Sequence, residues 1–196
     1  MKPAGEPQGA DPRDERKGEA MGPKAGREEP AGMPATHPGE KTDYDTLCRQ
    51  AEELLKQEPW YVSALSNLSA LIYAALPDLN WAGFYLLRDG RLTVGPFQGK
   101  PACIHIPVGR GVCGTAIGRD ETLNVPDVHA FPGHIACDSA SASEIVLPVH
   151  AGGRAAAVLD IDSPRPNRFS AEEEAGLKRL VRVMEAGLRF PPAGGE

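Results

Sequence analysis

The sequence predicts an α+β fold in which one antiparallel sheet carries helices packed on it. Three observations support this. Two stretches with apolar residues at helical spacing come first, near residues 44–55 and 62–76. Alternating segments then run from residue 80 to residue 162, punctuated by Asp89-Gly90 and by Ala151-Gly-Gly-Arg154. A capped amphipathic stretch closes the series after Ser170.

In the first helix, Tyr44, Leu47, Cys48, Ala51, Leu54 and Leu55 form the apolar stripe, Thr42 and Asp43 are the candidate caps, and Pro59 ends the run. The second runs from Val62 to Leu76, buries Leu65, Leu68, Leu71 and Ile72, and stops at Pro77. Asn80–Arg88 reads as a strand with Trp81, Gly83, Tyr85 and Leu87 on one face and Ala82, Phe84 and Leu86 on the other. The two aromatics suit a core or a pocket wall equally. Arg91–Phe97 returns from the Asp89-Gly90 turn. Ala102–Ile106 is expected as a further strand, with Ile104 and Ile106 facing one way and Cys103 and His105 the other. Gly109-Arg-Gly-Val-Cys-Gly114 leads into a short helix at Thr115–Gly118, and its free backbone N–H groups offer a seat for a carboxylate or phosphate. No GK[ST] follows, so it is not a nucleotide-binding P-loop. Thr122–Val125, Ile145–Val149 and Ala155–Asp162 complete the strands, the last with Asp160 and Asp162 on one face. In the final helix Ser170 and Glu173 form a capping box, and Leu177, Leu180, Val181, Met184 and Leu188 form the buried stripe.

The first 41 of the 196 residues are expected to be a disordered tail. Residues 1–40 hold no Val, Ile, Leu, Phe, Trp or Tyr but seven Pro and seven Gly, too little apolar surface to offset ordering. Their acids argue against a transit peptide, and the lack of an apolar core in them argues against a signal peptide. Residues 42–190 form the single domain, and 191–196 a short tail. No apolar run is long enough to cross a membrane. A net charge of -6 without a basic aromatic-laced patch disfavours nucleic acid. Four cysteines without an export signal point to a reducing, cytoplasmic setting, where thiols are more often reactive than structural.

Cys103, Cys113 and Cys137 lie in the loop-and-strand half. Together with His105, His129 and His134 they lack the tight spacing of structural zinc, so no metal and no cofactor are expected. Cys113 and Cys137 sit among Gly, Ala and Ser, where thiols are expected to be exposed and able to ionise. Glu144, at the start of a hairpin strand, joins Asp160 and Asp162. Three such carboxyls cannot all ionise comfortably, and a raised one can donate a proton at neutral pH.

Gly95–Cys103, Gly109–Gly114, Val125–Ser139, Ser143-Glu-Ile145 and Leu159-Asp-Ile-Asp-Ser163 resemble the free methionine-(R)-sulfoxide reductases, which are built on a GAF domain. The resemblance covers about residues 42–190 and implies an antiparallel sheet flanked by helices, often dimeric through them. It implies that Cys137 attacks the sulfoxide sulfur and becomes a sulfenic acid. Cys103 would resolve it as a disulfide, Cys113 would assist, and thioredoxin would restore the thiols. Beside it, Trp81 and Tyr85 are expected to pack on the methyl-sulfur end of free methionine sulfoxide. One of Glu144, Asp160 and Asp162 would protonate its oxygen, and the others would hold its ammonium.

The competing class is a GAF sensor that binds a small molecule without chemistry. Such modules are usually fused to an effector, and here nothing foldable is expected outside residues 42–190, which favours the enzyme. An untargeted thiol peroxidase is a third reading.

Overall fold

The computed structural model describes residues 41–135 and 138–190; apart from Lys41, the two expected tails lie outside them. Helix α1 spans Tyr44–Gln57 and α2 Tyr61–Ala75. Of the two candidate caps, Asp43 does the work: its Oδ1 accepts from the N–H groups of Asp45 and Thr46 at 3.0 and 3.1 Å, satisfying donors that the helix itself leaves open. Thr42 instead donates to the carbonyl of Ala75, 3.3 Å away, tying the start of α1 to the end of α2.

Six strands follow: β1 Trp81–Arg88, β2 Arg91–Gly99, β3 His105–Pro107, β4 Leu123–Val125, β5 Ser143–Ala151 and β6 Arg154–Ser163. They form one sheet in the order β3-β2-β1-β6-β5-β4, every neighbouring pair antiparallel. Both predicted hairpin turns adopt left-handed backbone at their two central residues, with φ of 51° and 75° at Asp89-Gly90 and 58° and 77° at Gly152-Gly153. That twist matches the flanking strands. Helix α3 (Gly111–Arg119) lies between β3 and β4, and α4 (Ala171–Gly187) follows β6. The predicted capping box is present on α4: the N–H of Glu173 donates to Ser170 Oγ and the N–H of Ser170 donates back to the Glu173 carboxylate.

The sheet is buried on both faces. Ala82, Phe84, Ile145, Leu147, Leu159 and Ile161 pack with residues of α1, α2 and α4. In that layer α2 lies against β1 and β2, α4 against β5, and α1 against both helices. Trp81, Tyr85, Val146 and Val158 point to the other side and pack with Val112, Cys113, Ala116 and Ile117 of α3. The alternation predicted for β1 and β6 therefore holds residue by residue.

Two local readings need correction. The third strand begins at His105, three residues later than predicted, and Ile104 sits on a bend with 64% of its surface exposed while Ile106 is buried. Alternation applies only to extended backbone, so Ile104 and Ile106 do not share a face. Helix α3 starts at Gly111, four residues before the expected start, and Cys113 lies inside its first turn. The cause is Gly111, whose φ of 62° lets the chain swing directly into the helix.

Candidate functional site

The register of the sheet builds the site. Glu144 on β5 stands opposite Asp162 on β6, and Val146 stands opposite Asp160, so the three acids emerge on one face of two neighbouring strands. Trp81 on β1 pairs with Asp162, and Gly83 with Asp160. The acids therefore line a pocket walled by Trp81 and Tyr85, by Val112 and Cys113 of α3, by Lys100 and Pro101 after β2, and by His134, Ile135, Asp138 and Ser141 before β5. Trp81 stacks on Tyr85 and on Phe97, with ring centroids 5.7 and 5.2 Å apart. Both expected roles of the aromatics are realised at once: they are buried in the core and they line the pocket.

All three carboxyls are held toward the neutral form. Burial raises Glu144 well above the usual range, and the charges of Asp160 and Asp162 add to it. Burial does the same to Asp162, helped by Asp160 and Asp138. Burial pushes Asp160 up to about 6, with hydrogen bonding from Cys113 and Glu144 opposing it. This is the crowding expected of like charges in a poorly solvated place. Asp160 Oδ1 is buried without a hydrogen-bond partner among the described residues.

Cys113 corrects an expectation. It is 3% exposed, its Sγ stands 3.7 Å from Glu144 Oε1, and burial and the neighbouring carboxylates raise its thiol well above the ordinary value. Flanking glycines suggested an exposed, ionisable thiol; they serve close packing instead, since a side chain at Gly114 would overlap the Pro107 carbonyl. Cys48 is also a free thiol, partly buried on α1. Cys103 is disulfide-bonded. Cys137 lies outside the described residues.

Sequence reasoning missed a polar tether on the rim. Lys100 pairs with Asp138 at 3.1 Å, Asn80 Nδ2 donates to Ser141 Oγ at 2.9 Å and to Asp138 Oδ2 at 3.3 Å, and the Trp81 indole N–H donates to the carbonyl of Lys100 at 3.2 Å. The N–H of Ala140, then Lys100, hold Asp138 below the usual carboxylate range. The partners lie 19 to 61 residues apart, so no local pattern announced them. His134 Nε2 lies 4.0 Å from Glu144 Oε2, and burial keeps its imidazole below the ordinary value.

At its α3 side the pocket receives a helix start with no side-chain cap, since Arg110 supplies none. The site can thus offer raised carboxyls as proton donors, a residual negative charge for a cation, free N–H groups for an anion, and aromatic faces for an apolar end.

The GAF domain family profile matches residues 44–188. A free methionine-R-sulfoxide reductase of Escherichia coli is 54% identical over 145 residues, covering 74% of this chain and 88% of the relative. One of Saccharomyces cerevisiae is 43% identical over 138 residues, covering 66% and 77%. The structure of fRMsr of Staphylococcus aureus in complex with substrate superposes with a TM-score of 0.73 at 46% identity, covering 76% of this chain and 98% of that one.

Proposed function

This chain belongs to the GAF domain family, among the free methionine-R-sulfoxide reductases, and from that premise we propose that it reduces free L-methionine-(R)-S-oxide to L-methionine at the pocket on the sheet. The observation that carries the proposal is the convergence of Glu144, Asp160 and Asp162, all buried and all raised, under the Trp81–Tyr85 wall.

Cys137 is the nucleophile. Its thiolate attacks the sulfoxide sulfur while a carboxyl protonates the oxygen, because unprotonated oxide is a poor leaving group. Hydroxyl ends on the Cys137 sulfur and methionine departs. The substrate sulfur gains two electrons, and the cysteine sulfur, now a sulfenic acid, loses two. The Cys103 thiol then attacks Cys137, forming a disulfide and releasing water. The disulfide at Cys103 in the structure is in keeping with a cysteine that resolves in this way. Thioredoxin supplies two thiols by exchange and leaves as its own disulfide. Cys113, buried and held protonated, assists rather than attacks.

The acids divide by how readily they ionise. Asp160 gives up its proton near pH 6 and takes the substrate ammonium. Burial and the neighbouring acids hold the protons on Glu144 and Asp162, which donate to the sulfoxide oxygen. The substrate carboxylate meets the open N–H groups at the start of α3. A peptide-bound methionine sulfoxide lacks the ammonium, so the free amino acid is preferred. We place the enzyme in the cytoplasm, as a homodimer, with a role in oxidative stress and no cofactor. Among the described residues no helix is long and apolar enough to cross a membrane.

The test is NADPH oxidation with thioredoxin, its reductase and free methionine-(R)-sulfoxide. Turnover is expected with the wild type and is lost in Cys137→Ser. A wild type that binds the sulfoxide without turnover is a GAF sensor, and one that consumes peroxide instead is a thiol peroxidase. Either result overturns the reductase reading.

A further inference from the structure

We propose that the floor of this pocket is also a site for a thiophilic divalent cation such as Zn2+, held by Cys113, Glu144 and Asp160 with His134 as the fourth donor.

One donor atom from each of Cys113, Glu144 and Asp160 falls within 4.8 Å of the other two. Tetrahedral zinc, with bonds of about 2.3 Å to sulfur and about 2.0 Å to oxygen, places a sulfur and an oxygen about 3.5 Å apart. The distance from Cys113 Sγ to Glu144 Oε1 is 3.7 Å, so little movement is needed. His134 lies outside that trio, with Nε2 4.0 Å from the second oxygen of Glu144, and has to swing inward to complete the N, S and O donors zinc accepts. The second observation is Asp160 Oδ1. It lines the pocket from a residue only 6% exposed and has no hydrogen-bond partner among the described residues, an acceptor without a donor. A cation satisfies it and offsets the mutual repulsion of the acids.

The spacing of the cysteines and histidines in the sequence argued against a structural metal. The site is assembled instead from α3, β5, β6 and the segment before β5, so its ligands need no local motif. Four protein donors leave no open position, so the ion would be neither a Lewis acid nor a source of hydroxide. It would occupy the carboxyls that the sulfoxide needs and shut the site. On binding, the protons of the Cys113 thiol and of the Glu144 carboxyl go to solvent, and metal–thiolate and metal–carboxylate bonds form, with no electron transferred.

The test is a Co2+ titration of the reduced full-length chain, followed by optical absorption. A thiolate-to-cobalt charge-transfer band and the intense d–d bands of a tetrahedral ion are expected, saturating at one ion per chain and displaced by Zn2+. Cys113→Ser should abolish the charge-transfer band and weaken zinc retention against a competing chelator at least about tenfold. Cys48→Ser and Cys137→Ser should keep the band. His134→Gln should shift the d–d bands while circular dichroism stays unchanged, which keeps the proposal testable if Cys113→Ser folds poorly. A weak octahedral spectrum, a band that survives Cys113→Ser, or one lost in Cys137→Ser overturns it. The readout uses no substrate. A chain that turns over sulfoxide without the cobalt band loses only this inference, and one with the band but no turnover loses only the reductase reading.

Discussion

Asp160 shows how far a single residue is set by its surroundings. Its carboxyl has an ordinary value of 3.8 and is pushed up to about 6 by burial. A group that binds its proton more tightly in the folded state contributes stability that is complete below the unfolded value. That contribution is lost as the pH rises through the folded value. The gap corresponds to about 3 kcal/mol once the group is ionised. Asp160→Asn removes that cost, so its Tm should rise by roughly 6–12 °C at pH 8 and by little at pH 4, as read by scanning calorimetry. In the same variant KM for the free sulfoxide should rise more than kcat falls; equal Tm shifts at both pH values would contradict this account. Alternation along the chain was enough to put Asp160 and Asp162 on one face. It was not enough to place Cys113 beside them, because flanking glycines look the same in a mobile loop and in a tight helix start.

At the level of elements, the seam between α1 and α4 is set by one missing side chain. The Tyr44 ring lies where a Cβ at Gly176 would be, and the ring is buried. Gly176→Ala gains helix propensity but overlaps the ring, and in a close-packed seam the overlap dominates. The variant should lose about 2 kcal/mol. Urea unfolding should show this as a lower midpoint at unchanged slope; a stabilised variant would mean that Tyr44 moves aside freely. Both helices were legible from their stripes, and the Ser170–Glu173 box from its spacing. The glycine was not, because its meaning lies across 132 residues of chain, from Tyr44 to Gly176. The third strand was misplaced for a related reason. Ile104 and Ile106 repeat at strand spacing, but one of them lies on a bend.

On the scale of the whole molecule, both cores share the same strands: β1 and β6 give Phe84 and Leu159 to the helical side and Tyr85 and Val158 to the other. Neither core can melt without stripping the sheet from the other, so unfolding should be one cooperative transition. Far-ultraviolet dichroism, which follows the helices, and tryptophan fluorescence, which includes Trp81 in the pocket wall, should give coincident midpoints. An earlier fluorescence transition would separate the pocket from its scaffold. The fold class and the strands were readable because alternation and turns are local. The order β3-β2-β1-β6-β5-β4 was not, since the central β1–β6 pairing joins segments some 75 residues apart. The pairing of Trp81 with Asp162 and of Glu144 with Asp162 has a further consequence, for how such a site changes over generations. Point replacements can retune an acid or an aromatic one at a time. A single codon inserted within β6 would slip the register, turning Leu159 and Ile161 toward the pocket and driving the acids under the helices. Descendants of this chain can vary freely in length at Gly152-Gly153 and in spelling along β6, but not in length along β6.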